Sequence, residues 1–300
     1  MHPAPSMITF TVLTGIGLGM VIWIGLGLVP GAGWPAVLLA LFATAAGGFA
    51  SVGHLARPSA AIYAFTQWRS SWLSREACLL VITMAVFALH AGLWLLGGLR
   101  VAPLGWLAAA LAFATIYATA MIYESIRAIP RWSGTPTRAL FLLSALAGGG
   151  FGVGAAAGLV GARAPVWLML LALLVAAGAA LWWQTIAANA RRNFDGSTIE
   201  SAIGMSGRGH ASLFEPPHTG PNYLLTEMAF IVGRARAFQL RRIGALLGYA
   251  LPFVLGIFAL IFGSWLLIPA LISHLLGMLA FRWLFFAEAE HVQALYYGMK

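Results

Sequence analysis

The feature that most constrains this sequence is the length of its uncharged apolar runs. No Lys, Arg, Asp or Glu precedes Arg57, and residues 77–99 and 243–281 carry none either. A helix that crosses a bilayer needs roughly 20 consecutive apolar residues. Charged residues make up only 8% of the chain, whereas ordinary globular proteins contain about 25%. The sequence therefore excludes a soluble domain and predicts an integral membrane protein.

Turn residues divide the apolar sequence into eight spans. Proline or glycine interrupts it near residues 30, 103 and 165, and Gly263 with Pro269 divides the tract 243–281 in two. The runs lack the alternation of a transmembrane barrel, so the predicted class is all-α, an integral membrane bundle of eight transmembrane helices. We expect one domain over residues 1–300, with a long extramembrane loop at 189–239. The predicted spans are 7–29, 35–53, 77–99, 101–123, 139–161, 165–188, 243–262 and 265–286.

Small residues recur within the spans, as in the segment GGGFGVGAAAG at 148–158. Small side chains let helix backbones approach each other closely in a membrane. We therefore expect a compact bundle that packs through these positions.

The distribution of charge predicts the topology. Of the 17 Lys and Arg residues, all except Arg100 and Arg163 fall on the side that holds both termini. The positive-inside rule makes that side cytoplasmic. All eight acidic residues lie there too, so arginines kept for docking a partner protein are an alternative source of the bias. Because the cations lie in connectors between spans, the net charge of +9 indicates contact with membrane lipid and no nucleic-acid partner.

One polar segment, residues 51–76, interrupts the uncharged first third of the chain. His54 follows the second span and Glu76 opens the third, so an imidazole and a carboxylate reach the same membrane surface. Oxidising a quinol releases two protons and two electrons, and these two groups suit its two hydroxyls as proton acceptors. Arg57 and Arg75 can bond a quinone oxygen or hold Glu76 ionised. The aromatic residues available to flank the ring are Tyr63, Phe65, Trp68 and Trp72.

The same segment also fits an interfacial loop, whose Trp, Arg and His side chains anchor helix ends among lipid headgroups. Tyr123 ends the fourth span near that surface, where it can join a pocket, and Glu124 and Arg127 have the i,i+3 spacing of an ion pair. For the quinol interpretation, His54 and Glu76 form the predicted catalytic pair. The predicted binding residues are His54, Arg57, Trp72, Arg75, Glu76 and Tyr123.

Ionisable residues elsewhere have competing interpretations. His90 and His274 lie inside spans, where two histidines can ligate one haem or hydrogen-bond across helices. Glu288, Glu290 and His291 near the end of the chain can form a proton path or a metal site. Carboxylates at i and i+2 point to different helix faces, which favours a solvated helix end there.

Five stretches carry a family resemblance: HPAPS with FTVLTGIGLG at the start, GHLARPSAAIYAFTQWRSSWLSRE from residue 53, ATAMIYESIRAIPRW at the end of the fourth span, EPPHTGPNYLLTEMAF in the long loop and FRWLFFAEAEHVQALYYG near the end. Together they resemble the membrane anchor subunits of dimethyl sulfoxide reductase and related molybdoenzymes. The resemblance implies an eight-helix subunit of the bacterial inner membrane, with no haem or metal of its own. It implies an iron–sulfur subunit and a molybdopterin catalytic subunit as partners, with menaquinol as the electron donor. In that family the histidine and glutamate that match His54 and Glu76 are tied to quinol binding and oxidation.

The leading hypothesis is therefore a quinol-oxidising anchor that passes electrons directly to its iron–sulfur partner. The single Cys78 cannot ligate a cluster of its own. Three alternatives stay open: the pocket can reduce quinone for an oxidising molybdoenzyme, the chain can be a purely structural anchor, or it can be a transporter. Transport sites place ionisable groups near mid-membrane, whereas those of this chain cluster at one surface.

Overall fold

Eight long helices form the described part of the protein. The computed structural model describes residues 4–52, 58–190, 199–211, 214 and 235–289, and these residues contain no strand. The predicted all-α class is confirmed, and because each helix is long and apolar enough to cross a membrane, the chain is a multi-pass membrane protein. The helices are α1 Pro5–Gly25, α2 Gly33–Val52, α3 Trp72–Leu95, α4 Ala102–Glu124, α5 Thr135–Leu159, α6 Val166–Ala190, α7 Ala237–Phe262 and α8 Leu267–Ala287.

Several helices begin earlier than the predicted spans, and α3 and α7 do so by the most residues. α3 begins at Trp72 rather than at residue 77, and therefore contains Glu76. α7 begins at Ala237, inside the stretch assigned to the long loop, and contains Arg241. The predicted limits stopped at charged residues. A membrane helix continues past such residues near its ends where they find polar partners, as Glu76 does in Thr119 and Arg241 does in Glu288.

α1 occupies the centre of the bundle. It packs against α2, α4, α5 and α8, and every residue from Gly17 to Gly25 is buried. Gly19 and Gly149 let α1 and α5 meet backbone to backbone, since a Cβ atom added to Gly19 would lie 1.9 Å from the carbonyl oxygen of Ala145. This contact is the close approach that the small residues predicted.

A π-helical turn at Leu246–Ala250 interrupts α7 and presents a carbonyl group to α8. Pro252 has no N–H, so it cannot donate to the carbonyl of Gly248 as an α-helical residue at that position would. His274 Nδ1 of α8 donates to this carbonyl at 2.7 Å. The proline in α7 thereby fixes the orientation of a histidine ring deep inside the bundle.

A buried ion cluster fastens the ends of α7 and α8 to the connector between α4 and α5. Glu288 directly follows α8 and is 3% exposed, and Arg131 of the connector is 7% exposed. Arg131 Nη2 and Arg241 Nη2 donate to the two carboxylate oxygens of Glu288, the latter at 3.0 Å. The prediction of a solvated helix end at Glu288 was wrong, because helix geometry alone does not show that a connector folds over that end. Glu290 and His291 lie outside the described residues.

Candidate functional site

The connector between α2 and α3 is held against the first turns of α3 by two side chains of that helix. Ser74 Oγ donates a hydrogen bond to the carbonyl of Ala64. Arg75 donates from Nε to the carbonyl of Trp68 at 3.0 Å, and from Nη2 to the carbonyl of Arg69 at 2.7 Å. The described part of the connector is thereby fixed beside the start of α3.

Two predicted site residues, His54 and Arg57, lie outside the described residues, and their roles stay predictions. Arg75 was predicted to bond a quinone oxygen or to hold Glu76 ionised. Its guanidinium group bonds the connector carbonyls and lies 4.3 Å from the ring centroid of Trp72. Within the described structure, no ion pair joins Arg75 to Glu76.

Glu76 lies in the second turn of α3, about 6 Å along the helix axis from Trp72. Its side chain is buried between α3 and α4, with 6% exposure, and its Oε1 accepts a hydrogen bond from Thr119 Oγ1 of α4. About two turns deeper, the hydroxyl groups of Thr83 and Thr115 pair at 3.0 Å. Although α3 is largely exposed at the edge of the bundle, the face that it turns toward α4 is therefore polar.

An aromatic pair lies beside this carboxyl group, with Trp72 one helical turn nearer the start of α3 and Tyr117 two residues before Thr119 on α4. Trp72 of α3 and Tyr117 of α4 meet edge to face, with ring centroids 6.0 Å apart. Both side chains are partly exposed, and Trp68 in the connector is exposed as well. Trp72 precedes Glu76 by four residues and so shares its helix face. The pair provides a partly exposed aromatic surface.

Tyr123 lies one turn after Thr119 on α4, inside an aromatic cluster. It is 4% exposed. Its ring stacks on Phe141 at 5.3 Å and meets Trp132 and Phe285 edge to face at 5.4 and 5.5 Å. The structure thus brings Tyr123 to the inner side of the site, behind Thr119, and not to the surface that faces lipid.

The predicted ion pair between Glu124 and Arg127 was wrong. Glu124 Oε2 instead lies 2.7 Å from Arg138 Nε of α5. α4 ends at Glu124, so Arg127 falls beyond the helix, where the i,i+3 spacing no longer brings two side chains together.

The two histidines inside the spans occupy different parts of the bundle. His90 is 1% exposed, with its ring 6.4 Å from that of Trp94. His274 hydrogen-bonds across helices to Gly248, which is one of the two roles predicted for it. α3 packs on α2 and α4, whereas α8 packs mainly on α5 and α7. This arrangement gives no support to one haem shared between the two rings.

Sequence reasoning missed three residues that the fold brings to this region: Tyr117, Thr119 and Arg282. Arg282 was counted among the cations of the surface connectors, but it lies within α8 and is 3% exposed. A signal was available, because Arg282 directly follows the uncharged tract 243–281 and must enter the span. Ionisable residues inside spans are costly and commonly functional. Thr119 gives no comparable signal in the sequence.

Together these groups are suited to proton exchange at a membrane surface. The Thr119 hydroxyl donates to an ionised Glu76 carboxylate, and the same oxygen can accept from the carboxyl group once it is protonated. Trp72 and Tyr117 belong to the same two helices that this hydrogen bond joins, and their rings form an aromatic pair beside it.

Sequence similarity to known proteins covers the whole bundle. Residues 1–206 match the family model described as the DMSO reductase anchor subunit, DmsC. The chain is also 33% identical to the C subunit of the sulfite dehydrogenase of Allochromatium vinosum, over 99% of both chains. The first match includes α3, α4 and the connector before them, and the second extends through α8. The chain therefore belongs to the DMSO reductase anchor subunit (DmsC) family.

Proposed function

We propose that this anchor subunit of a molybdoenzyme complex oxidises quinol at the start of α3 and passes the electrons to a docked iron–sulfur subunit. One observation carries the proposal: the carboxyl group of Glu76 is buried one helical turn from Trp72, which forms a partly exposed aromatic pair with Tyr117 near the start of α3. Glu76 takes one proton, and His54, predicted at the same surface, takes the other. Menaquinol is the quinol that the family resemblance implies.

The residues present fit a quinol. Its ring is flat and apolar and carries two hydroxyl groups, so a site needs an aromatic surface and a proton acceptor. Trp72 and Tyr117 supply the first, and Glu76 supplies the second. Because the aromatic pair is partly exposed, a molecule with a long apolar tail can reach it from the lipid.

Protons and electrons then leave by different routes. Oxidation of a quinol to a quinone breaks two O–H bonds and releases two protons and two electrons. The protons form new bonds at the carboxyl oxygen of Glu76 and at the imidazole of His54. Cys78 is the only cysteine in the chain, and a cysteine-ligated cluster needs several. The electrons therefore pass to the clusters of the iron–sulfur partner, and from there to the molybdopterin subunit.

A second candidate is the same site operating in the opposite direction. The Allochromatium vinosum relative is named as part of a sulfite dehydrogenase, and a dehydrogenase produces electrons that an anchor can deliver to quinone. In that case Glu76 donates a proton to the quinone that is being reduced. The reduction potentials of the partners, and not the pocket residues, decide the direction.

Electron transfer by the purified complex tests both candidates. The complex is isolated in mild detergent through a tag on this chain, and its partners are identified by mass spectrometry and by molybdenum and iron content. Oxidation of a soluble quinol analogue by an oxidised redox dye, and reduction of the matching quinone by the reduced dye, are followed by absorbance in the wild type, His54→Ala and Glu76→Gln. Loss of both reactions in both variants, with the partners still bound, supports the site. Unchanged rates in both variants would show that the chain is a purely structural anchor. Isolation of the chain without partner subunits would contradict the proposal that it belongs to a complex.

We also propose that the docking face is the side that holds both termini, at the cytoplasmic surface of the bacterial inner membrane. Most cations fall on that side, although Arg131 and Arg282 are buried and add nothing to its surface charge. In a Cys78→Ser background, Ser70→Cys and Gly161→Cys place a thiol at exposed positions on opposite sides. An impermeant thiol reagent applied to intact cells should label only Gly161→Cys. Labelling of Ser70→Cys alone would place the docking face outside the cytoplasm.

A further inference from the structure

An internal cavity lies between α1, α4, α5 and α8, behind the carboxyl group of Glu76. Its volume is about 20 Å³, which leaves room for about one or two water molecules. The polar side chains that line it are Thr11, Thr14, Thr119, Ser144, His274 and Arg282. Because Thr119 also bonds Glu76, one hydroxyl group connects the candidate quinol site to the cavity.

Arg282 brings a cation into this cavity, and no described residue supplies a matching anion. It is 3% exposed, and its guanidinium carbon lies 3.5 Å from the ring centroid of Phe141. Nε and Nη1 have no hydrogen-bond partner among the described residues, and no described carboxylate forms an ion pair with the group. An isolated buried cation is costly unless polar partners surround it. The cavity is the place where such partners fit.

His274 supplies a further polar atom without a partner, and Ser144 supplies a hydroxyl group. Because Nδ1 of His274 donates to the carbonyl of Gly248, the proton of the neutral ring is on Nδ1, and Nε2 is an acceptor. Nε2 of His274 has no hydrogen-bond partner in the described structure, and the hydroxyl of Ser144 lies near that of Tyr249 in α7. Buried water typically makes about three hydrogen bonds to groups of this kind, so a water molecule here has the partners it needs.

Thr119 has one hydroxyl proton and two acceptors within reach. Its Oγ1 bonds Oε1 of Glu76 and lies 3.1 Å from the carbonyl of Thr115. If Glu76 is ionised, Thr119 donates to the carboxylate, and its oxygen is free to accept a bond from the cavity. If Glu76 is protonated, the carboxyl group donates to Thr119, which then donates to Thr115. The direction of this hydrogen bond therefore depends on the charge of Glu76.

We propose that water in this cavity links Arg282 to Glu76 through Thr119, and that Arg282 thereby stabilises the ionised form of Glu76. The hydrogen bonds in this series all run in the same direction: Arg282 donates to water, water donates to Thr119, and Thr119 donates to the carboxylate. Bonds aligned in this way polarise and strengthen one another. Arg282 is thus a positioning residue that keeps Glu76 ready to accept a proton. The inference rests on the proposed function, since it explains how Glu76 serves as a base.

Few other ionisable groups among the described residues lie near Glu76 and Arg282. Tyr123 of α4 interacts electrostatically with both, and Tyr249 of α7 interacts with Arg282. α1 and α2 carry no charged residue. Arg75 bonds the connector, and Glu124 pairs with the arginine at the start of α5. Among the described residues, Arg282 is therefore the cation that is connected to Glu76, through the cavity and Thr119.

The pH dependence of quinol oxidation by the purified complex tests this inference. Thr119→Val keeps the shape of the side chain but breaks the link, and Arg282→Gln removes the cation. In both variants the acid side of the pH–rate profile should move to higher pH by about one unit, with about a tenfold lower rate at acid pH. Thr119→Ser and Arg282→Lys should restore most of the wild-type profile. Thr115→Val is the matched control, because it removes a hydroxyl one turn away that bonds Thr83 and should leave the profile unchanged.

The outcomes separate the inference from the proposed function. If Thr119→Val has the wild-type profile while Glu76→Gln is inactive, the link through the cavity is refuted and the quinol site stands. If Glu76→Gln retains the wild-type rate, the proposed function fails and the inference fails with it. Should Arg282→Gln fail to assemble, the comparison of Thr119→Val with Thr119→Ser still decides the question, since neither variant changes a charge.

Discussion

Glu76 and Glu288 are both carboxylates buried near the same membrane surface, yet their surroundings are opposite. Glu288 is 3% exposed and accepts hydrogen bonds from two arginines, Arg131 and Arg241. Glu76 is 6% exposed, accepts a hydrogen bond from the hydroxyl group of Thr119, and forms no ion pair with a described residue. One carboxylate joins the connector after α4 to α7 and α8, while the other faces the seam between α3 and α4 at the edge of the bundle.

This difference distinguishes a structural charge from a reactive one. Two guanidinium groups compensate the charge of Glu288, and removing one partner of such a pair leaves an uncompensated ion. A hydroxyl group bonds the ionised and the protonated forms of Glu76 alike, so that carboxyl group can gain and lose a proton without breaking the fold. Burial by itself therefore does not identify a functional carboxylate, whereas the partners of the buried group do.

The largest effect is expected when Glu76 loses its ability to accept a proton. Glu76→Gln keeps the size of the side chain and its bond from Thr119, so the complex should assemble in normal amounts. Quinol oxidation should fall by about 10²- to 10⁴-fold, which is the usual contribution of a positioned base. Initial rates per mole of bound molybdenum measure the loss, and Glu76→Asp, which keeps a carboxyl group, should be less impaired. A wild-type rate in Glu76→Gln would show that Glu76, like Glu288, does not act as a proton acceptor.

The opposite result is expected for Glu288. Glu288→Gln removes the charge that Glu288 supplies to the buried guanidinium of Arg131, which should cost about 3 kcal/mol of stability. Thermal unfolding of the complex in detergent should show a clear loss, while quinol oxidation per assembled complex stays at the wild-type level. Arg241→Met is the matched control. The side chain of Arg241 is 43% exposed, so its loss should cost less. A Glu288→Gln complex of full stability but low rate would place this carboxylate in the reactive class as well.

The contrast also shows which parts of the molecule the sequence could predict. Eight helices follow from the run lengths alone, because lipid leaves an apolar run little alternative to a helix. Glu76 was identifiable because it is a charge at the end of a span. The contacts of Thr119 and Arg282 depend on which faces of α4 and α8 turn inward, and spans that are apolar all round carry little information about facing. Glu288 was misjudged for the same reason.

A smaller effect should follow from loosening the connector beside Glu76. Arg75→Gln removes the charge-assisted bonds to the carbonyls of Trp68 and Arg69, and such bonds contribute about 1.5–3 kcal/mol. We expect faster hydrogen–deuterium exchange in peptides covering 58–71 and a KM for the quinol analogue raised by about tenfold. Arg69→Gln is the control, since the bond to residue 69 uses its backbone carbonyl and survives the substitution. Equal exchange in the two variants would show that Arg75 does not hold the connector.

The smallest effect is expected at the aromatic surface itself. Trp72→Leu removes the ring that meets Tyr117, and aromatic contacts of this kind are worth about 0.5–1.5 kcal/mol. The KM for the quinol analogue should rise by about three- to tenfold, while kcat changes little, because Glu76 and Thr119 are untouched. Trp72→Phe, which keeps a flat ring, should have a KM nearer that of the wild type.

Trp106→Leu controls for the loss of a lipid-facing tryptophan, since Trp106 is 58% exposed at the opposite end of α4. If Trp106→Leu raised KM as much as Trp72→Leu, the effect would belong to the anchoring of helices in lipid, and the aromatic pair would have no part in binding. If Trp72→Leu instead lowered kcat and left KM unchanged, the ring would act on the proton acceptor. Trp72 would then belong with the reactive carboxyl group of Glu76, one helical turn away, and not with the binding surface.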